Sequence, residues 1–132
     1  RLYSAVAELG LGLEDKMDIP VGLLSGGQRQ AIALLMATMT PISFLILDEH
    51  TAALDPKTAE IIMKLTDRIV REKSLTAIMV THNLRYAVEY GNRMLMLHHG
   101  DIVLERKAAA KTETTVDDIL SVFNEISIEC GN

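Results

Sequence analysis

The chain has 132 residues, with 18 acidic side chains against 13 lysines and arginines, a net charge of -5, 48% apolar residues and one cysteine. That length suits one domain or part of a larger one. The acidic balance speaks against a nucleic-acid binder, which would present a basic face. Cys130 has no internal disulfide partner, and no Cys/His spacing suggests a metal site, which fits a reducing, cytoplasmic compartment. The longest largely apolar stretch, Ala31 to Met39, falls far short of the roughly 18 residues a membrane span needs. No signal-peptide pattern opens the chain. Any membrane link is therefore expected to run through a partner. A start at Arg1 rather than Met is expected of a fragment.

Residues 2–11 read as a short helix that Gly10 and Gly12 stop, and residues 13–24 as a loop containing Pro20 and Gly22. A helix start follows at Ser25. Its run from Gln30 to Met39 is apolar nearly all round, which predicts burial on most faces, and Pro41 ends it. Ile42 to Leu47 is a short continuous apolar run, suited to a strand covered on both faces. Asp55 and Pro56 open the next helix as N-cap and first helical residue. Ala59, Ile62, Met63, Ile69 and Val70 form its apolar stripe. Arg68, Arg71 and Lys73 fall at its end, where cations are favoured.

Leu75 to Val80 reads as a second buried strand, and Asn83 as the cap of a short helix ending near Gly91. Arg93 to Leu97 and Ile102 to Leu104 read as strands joined by the turn-like segment His98 to Asp101. Lys107 to Thr114 is polar and weakly patterned, as a linker would be. Thr115 and Asp118 have capping-box spacing, ahead of an amphipathic helix to about Ser127. The alternation of strands and helices predicts an α/β fold with a mainly parallel sheet.

Four segments bear on chemistry. In Leu24-Ser25-Gly26-Gly27-Gln28, Ser25 and Gln28 have the spacing of a reciprocal capping box. The two glycines would let another group approach the backbone, and free N–H groups at a helix start attract anions. An ordinary capped helix explains the segment equally well. In Phe44-Leu45-Ile46-Leu47-Asp48-Glu49, an apolar run leads into two carboxylates, and ligands of parallel sheets bind at that strand end. Asp48 can hold Mg²⁺ through water and Glu49 can take a proton from an attacking water; solvated charges at a strand end are the alternative. His82, in Thr81-His82-Asn83, stands where it could meet a phosphate oxygen, although a lone loop histidine is more often without chemistry. Asp55 already has a structural task as N-cap.

The order of these segments carries more than any one of them. LSGGQRQ resembles the signature motif of ATP-binding-cassette (ABC) ATPases, FLILDE their Walker B motif with its catalytic glutamate, TAALD their D-loop, and His82 their switch histidine. The resemblance covers essentially residues 1–105. It implies a partial P-loop NTPase fold of three layers with the end of the helical subdomain. Residues 1–40 would form the helical and signature region, and 41–106 the core from Walker B to the switch histidine. Residues 107–115 would be a linker and 116–132 a C-terminal helix.

The resemblance further implies a head-to-tail dimer with ATP and Mg²⁺ as ligands. Ser25, Gly26, Gly27 and Gln28 would face ATP held by the opposite subunit, and Asp55 would communicate across the interface. Asp48 would serve Mg²⁺, Glu49 would polarise water and His82 would hold the γ-phosphate. The implied partners are a second ABC ATPase subunit and transmembrane permease subunits, with the protein peripheral on the cytoplasmic face of the membrane and not inserted in it. The segment DEHTAALDPKTAE, including His50, resembles bacterial import ATPases, some tied to amino-acid uptake. Two other readings stand beside this one: a soluble, non-transport ABC ATPase and a non-catalytic interaction module.

One departure is large. A P-loop needs Gly, four residues, then Gly-Lys-Ser/Thr, and no Gly-Lys pair occurs in the chain. The 132 residues alone are therefore expected to be inactive and to expose a sheet edge and apolar surface.

Overall fold

The structure, a computed structural model, describes residues 1–129; Cys130 lies outside the described residues. The chain divides into two compact units, the first running from Arg1 to Val80 and the second beginning at Thr81.

The first unit opens with helix α1 (Leu2–Ala7), shorter than expected. Gly10 and Gly12 adopt left-handed φ of 70° and 68°, conformations that cost glycine little, and they turn the chain. The expected loop after them carries two short 3₁₀ turns, Leu13–Lys16 and Val21–Leu23. Helix α2 (Gly26–Thr38) begins at Ser25. Strand β1 (Phe44–Asp48), helix α3 (Pro56–Glu72) and strand β2 (Thr76–Val80) then form a β-α-β unit. The strands pair in parallel, with Phe44 opposite Thr76, Ile46 opposite Ile78 and Asp48 opposite Val80.

The core of this unit joins Val6, Leu9 and Leu13 to Ala31 and Leu34 of α2, Leu45 and Leu47 of β1, and Ile62, Leu65 and Ile69 of α3. The α3 stripe follows the sequence expectation at Ala59, Ile62, Met63 and Ile69, which are buried, whereas Val70 is half-buried and Leu65 and Thr66 join the buried set. Burial on two faces, expected for β1, does not hold, and β2, expected to be buried, is largely exposed. β1 alternates, with Leu45 and Leu47 buried and Phe44 and Ile46 exposed. Ile78 and Val80 of β2 share the open face with Ile46 by register and are also exposed. A continuous apolar run records that both faces are apolar; it does not record what covers the second one. Likewise α2 buries a single stripe (Gly27, Ala31, Leu34, Thr38) and leaves Met36, and Met39 at its C-cap, exposed.

The second unit starts with helix α4 (Leu84–Glu89), capped by Asn83, whose side chain accepts from the Tyr86 N–H at 3.2 Å. Strands β3 (Arg93–His98) and β4 (Asp101–Lys107) form an antiparallel hairpin. Its tip has positive φ at both His99 (49°) and Gly100 (84°), which matches the right-handed twist of the flanking strands. The chain thus contributes one parallel and one antiparallel strand pair among the described residues.

The segment expected to be a linker contains helix α5 (Ala108–Glu113). Its anchor is Lys111, only 3% exposed. The Lys111 ammonium donates to the carbonyls of Val88 and Tyr90, the latter at 2.9 Å, and so closes the C-terminal end of α4, where carbonyls lack helical partners. Burial pushes this ammonium below the usual lysine range. A polar segment expected to be a linker thus carries an apolar stem with a buried charge at its end. Lys111→Met keeps the stem and removes the donor, and should lower the unfolding free energy by about 1–3 kcal/mol in a denaturant titration. Helix α6 (Val116–Glu129) follows, started by the reciprocal bonds of Thr115 and Asp118 at 2.8 and 3.2 Å. Its Ile119 packs with Met94 and Leu104.

Candidate functional site

The tip of α2 is built by the capping box read from the sequence. The Ser25 hydroxyl accepts from the Gln28 N–H at 3.2 Å, and the Gln28 side-chain oxygen accepts from the Ser25 N–H at 3.0 Å. The other end of the Gln28 amide donates to the Leu11 carbonyl at 3.2 Å. Gln28 therefore ties the helix start to the preceding turn, a task the sequence did not reveal. Ser25 is exposed, Gly26 and Gln28 are half-buried and Gly27 is buried.

The glycines have neighbours in their own chain. A Cβ on Gly26 would lie 3.2 Å from Leu54 Cδ2, and one on Gly27 would lie 2.2 Å from Thr58 Cγ2. The second distance is far inside van der Waals contact. The close approach expected at these glycines is thus made, at Gly27, by the first turn of α3. Thr58 also donates its N–H to the Asp55 carboxylate at 3.1 Å, the N-cap bond expected for Asp55. The α2 tip, Leu54, Asp55 and Thr58 form one packed cluster.

Asp55 is exposed, and the Thr58 hydroxyl and N–H hold its carboxyl below the ordinary carboxylate range. The folded chain releases this proton more readily than the unfolded one. Its stabilisation is therefore complete above the ordinary aspartate range and is lost as pH falls through the depressed folded value. Asn caps as well as Asp but does not titrate. Asp55→Asn should leave stability near pH 7 almost unchanged and flatten the acid limb of a stability-against-pH curve.

The second cluster lies at the end of β1. Asp48 is exposed and Glu49 half-buried. Glu49 adopts a left-handed φ of 49°, uncommon outside glycine. Its N–H donates to the Val80 carbonyl at 2.9 Å, and its carbonyl accepts from the Ala52 N–H at 3.1 Å. A tight turn thus starts at Glu49, with His50 as its second residue. The His50 ring meets the Thr66 hydroxyl of α3 at 3.0 Å. Burial holds the His50 imidazole below its ordinary range. His50 and Thr66 had no expected role in the site; a histidine two residues past a strand end and a threonine inside an apolar stripe were the only signals.

His82 belongs to the second unit and is exposed. It follows Val80, the last residue of β2 and the register partner of Asp48, by two positions. The Asn83 N–H donates to the Thr81 hydroxyl at 3.0 Å, which shapes the loop around it.

Among the described residues no group of three or more His, Cys, Asp or Glu side chains forms a metal cage. A lone exposed carboxylate at a strand end nevertheless fits Mg²⁺. That ion keeps several waters and is commonly held by one or two carboxylates together with nucleotide phosphates.

Comparison with known proteins shows what the chain is similar to. The ABC transporter family model matches residues 1–52. The tyrosine transport ATP-binding protein of Clostridioides difficile is 51% identical over 115 residues, covering 87% of this chain and 46% of that protein. The methionine import ATP-binding protein of Bacillus cereus is 36% identical over 120 residues, covering 87% of this chain and 35% of that protein. The chain thus spans less than half the length of these two relatives. Among solved structures, an inward-facing ABC transporter of metal-chelate type superposes with a TM-score of 0.73 at 25% identity, over 92% of this chain and 47% of that one. The ADP conformation of an ATP-binding cassette of an ABC transporter gives 0.72 at 23% identity, over 98% of this chain and 48% of that one, a likeness of fold. Over its first 52 residues the chain matches the ABC transporter family model, and over 87% of its length it is similar to ATP-binding proteins of transport and import systems.

Proposed function

We propose that these residues form the signature-to-switch part of an ATP-hydrolysing subunit that powers solute import across a membrane. The observation that carries the reading is the pairing of an exposed, capped helix tip with an acidic strand terminus, each fixed by its own chain. The tip presents the Ser25 hydroxyl and the N-terminal end of a 13-residue helix, suited to an anion. In the proposal that anion is the triphosphate of ATP held by a second subunit. Ser25, Gly26, Gly27 and Gln28 bind it, and Asp55, bonded to the same cluster, relays the state of the tip to the opposite subunit.

Glu49 accepts a proton from the water that attacks the γ-phosphate. Asp48 orients the water shell of Mg²⁺, which supplies charge neutralisation on the phosphates when bound. His82 holds a γ-phosphate oxygen and registers its loss. The cargo class rests on the relatives: one is a tyrosine transport protein and the other a methionine import protein, which favours amino acids. Among the described residues no helix is long and apolar enough to cross a membrane. Attachment to the cytoplasmic face then runs through permease subunits.

A specific observation supports a second reading for this chain by itself. It has no Gly-Lys pair and so no phosphate-cradling lysine of the P-loop type. Alone it would act as the signature-side half of a site, without turnover.

Ser25→Arg in the full-length subunit tests the dimer. Arg places bulk and charge at the exposed tip and should abolish ATP-driven dimerisation in size-exclusion chromatography. Ser25→Ala loses the hydroxyl, and with it the same cap bond, without the bulk and should weaken dimerisation less than Ser25→Arg does. Unchanged dimerisation in Ser25→Arg removes the signature assignment.

A further inference from the structure

We propose that His50 and Thr66 are positioning residues for the Glu49 carboxylate; the inference rests on the role of Glu49 proposed above. Glu49 is held in a left-handed conformation, which costs energy and persists only where the surroundings over-determine it. On its N-terminal side the restraint is the bond from its N–H to Val80 O, at 2.9 Å. On its C-terminal side the backbone turns at once, with the Ala52 N–H donating to Glu49 O at 3.1 Å. That turn would pivot on its own corner unless the corner were tied down. The tie is the His50 side chain.

The direction of that tie is fixed by the partner. The Thr66 hydroxyl lies 2.7 Å from the Ile62 carbonyl, four residues earlier in α3. A hydroxyl has one hydrogen, and a carbonyl can only accept, so that hydrogen goes to Ile62. Toward His50 the Thr66 oxygen must accept, and the 3.0 Å contact is a donation from His50 Nε2–H. His50 is thereby held as the Nε2–H tautomer. Thr66 is 5% exposed and Ile62 fully buried, so the anchor sits in the core of the unit, on the middle of a 17-residue helix. The chain from Glu49 through His50 and Thr66 to Ile62 couples the proposed base to the buried core of the unit. Neither residue touches substrate; both set where the Glu49 side chain departs from the backbone.

The effect belongs in turnover rather than in nucleotide binding, because a displaced base costs rate while the phosphate contacts are made elsewhere. Displacements of about 1 Å cost on the order of 10²-fold in rate. In the full-length subunit, Thr66→Val keeps the shape of the side chain and removes the acceptor. It should lower kcat about 10–100-fold with KM for ATP essentially unchanged. Thr66→Ser restores the acceptor and should recover most of the loss, and His50→Ala should match Thr66→Val. Glu49→Gln is measured alongside. If Glu49→Gln is inactive while Thr66→Val turns over normally, the anchor is refuted and the role of Glu49 stands. If Glu49→Gln turns over normally, the reading of Glu49 itself fails. A loss in Thr66→Val that Thr66→Ser does not recover, or that appears equally in KM, also overturns the proposal.

Discussion

Replacing Glu49 with glutamine in the full-length subunit should lower ATP turnover about 10²–10⁴-fold, the usual contribution of a general base, while ATP binding survives. The substitution is chosen for what it preserves. Glutamine has nearly the volume of glutamate and no greater aversion to the left-handed φ of 49° that residue 49 adopts. The backbone bonds to Val80 and Ala52 do not involve the side chain. Folding, the turn and the neighbouring Asp48 should all be kept. What is lost is the ability to accept a proton, since an amide oxygen is a far weaker base than a carboxylate. The measurement is steady-state phosphate release set against nucleotide binding in the same preparation. Near-normal release with intact binding would take the role of base away from Glu49, and the strand terminus would then be a pair of solvated charges.

Much of this arrangement can be read in the sequence, for identifiable reasons. Caps are local: Ser25 with Gln28, Asp55 with Thr58, Asn83 with Tyr86 and Thr115 with Asp118 each span three residues, so pattern and bond coincide. The α3 stripe and the β3–β4 turn are local in the same sense. The failures are non-local. Whether Phe44 and Ile46 are covered depends on what lies across the sheet, and the apolar run is equally compatible with either outcome. Lys111 reads as a solvated cation until the carbonyls of Val88 and Tyr90, more than 20 residues earlier, are brought to it. The site shows the same division. Asp48 and Glu49 are legible as a strand terminus, whereas the bond from His50 to Thr66 joins residues 16 apart through a turn no pattern announces. Gly27 is the subtlest case. Its lack of a side chain predicts the close approach of another group, and the structure gives that approach to Thr58 of the same chain.

Gly27→Ala turns this last point into a test with a definite sign. In an ordinary helix, alanine is favoured over glycine by roughly 0.5–1 kcal/mol, so the substitution would stabilise the chain if the glycine served only an external ligand. Here the new methyl would lie 2.2 Å from Thr58 Cγ2, and either α2 must lift off α3 or Thr58 must leave its rotamer. Overpacking of that kind costs about 1–3 kcal/mol, which outweighs the propensity gain. Gly27→Ala should therefore lower the midpoint of denaturant unfolding. Thr58→Ser removes the clashing methyl and keeps the hydroxyl that faces Asp55, so the double variant should recover most of the loss. That recovery is a coupling energy between two residues in contact, which a double-mutant cycle measures directly. Stability unchanged or raised in Gly27→Ala would mean that the α2 tip is not seated on α3. The shared movement of Ser25 and Asp55 proposed for the dimer would then lose its physical link. If the cycle closes as expected, Gly27 is the point at which the α2 tip and the first turn of α3 become one body, and in the proposed site Gly27 offers a ligand its backbone alone.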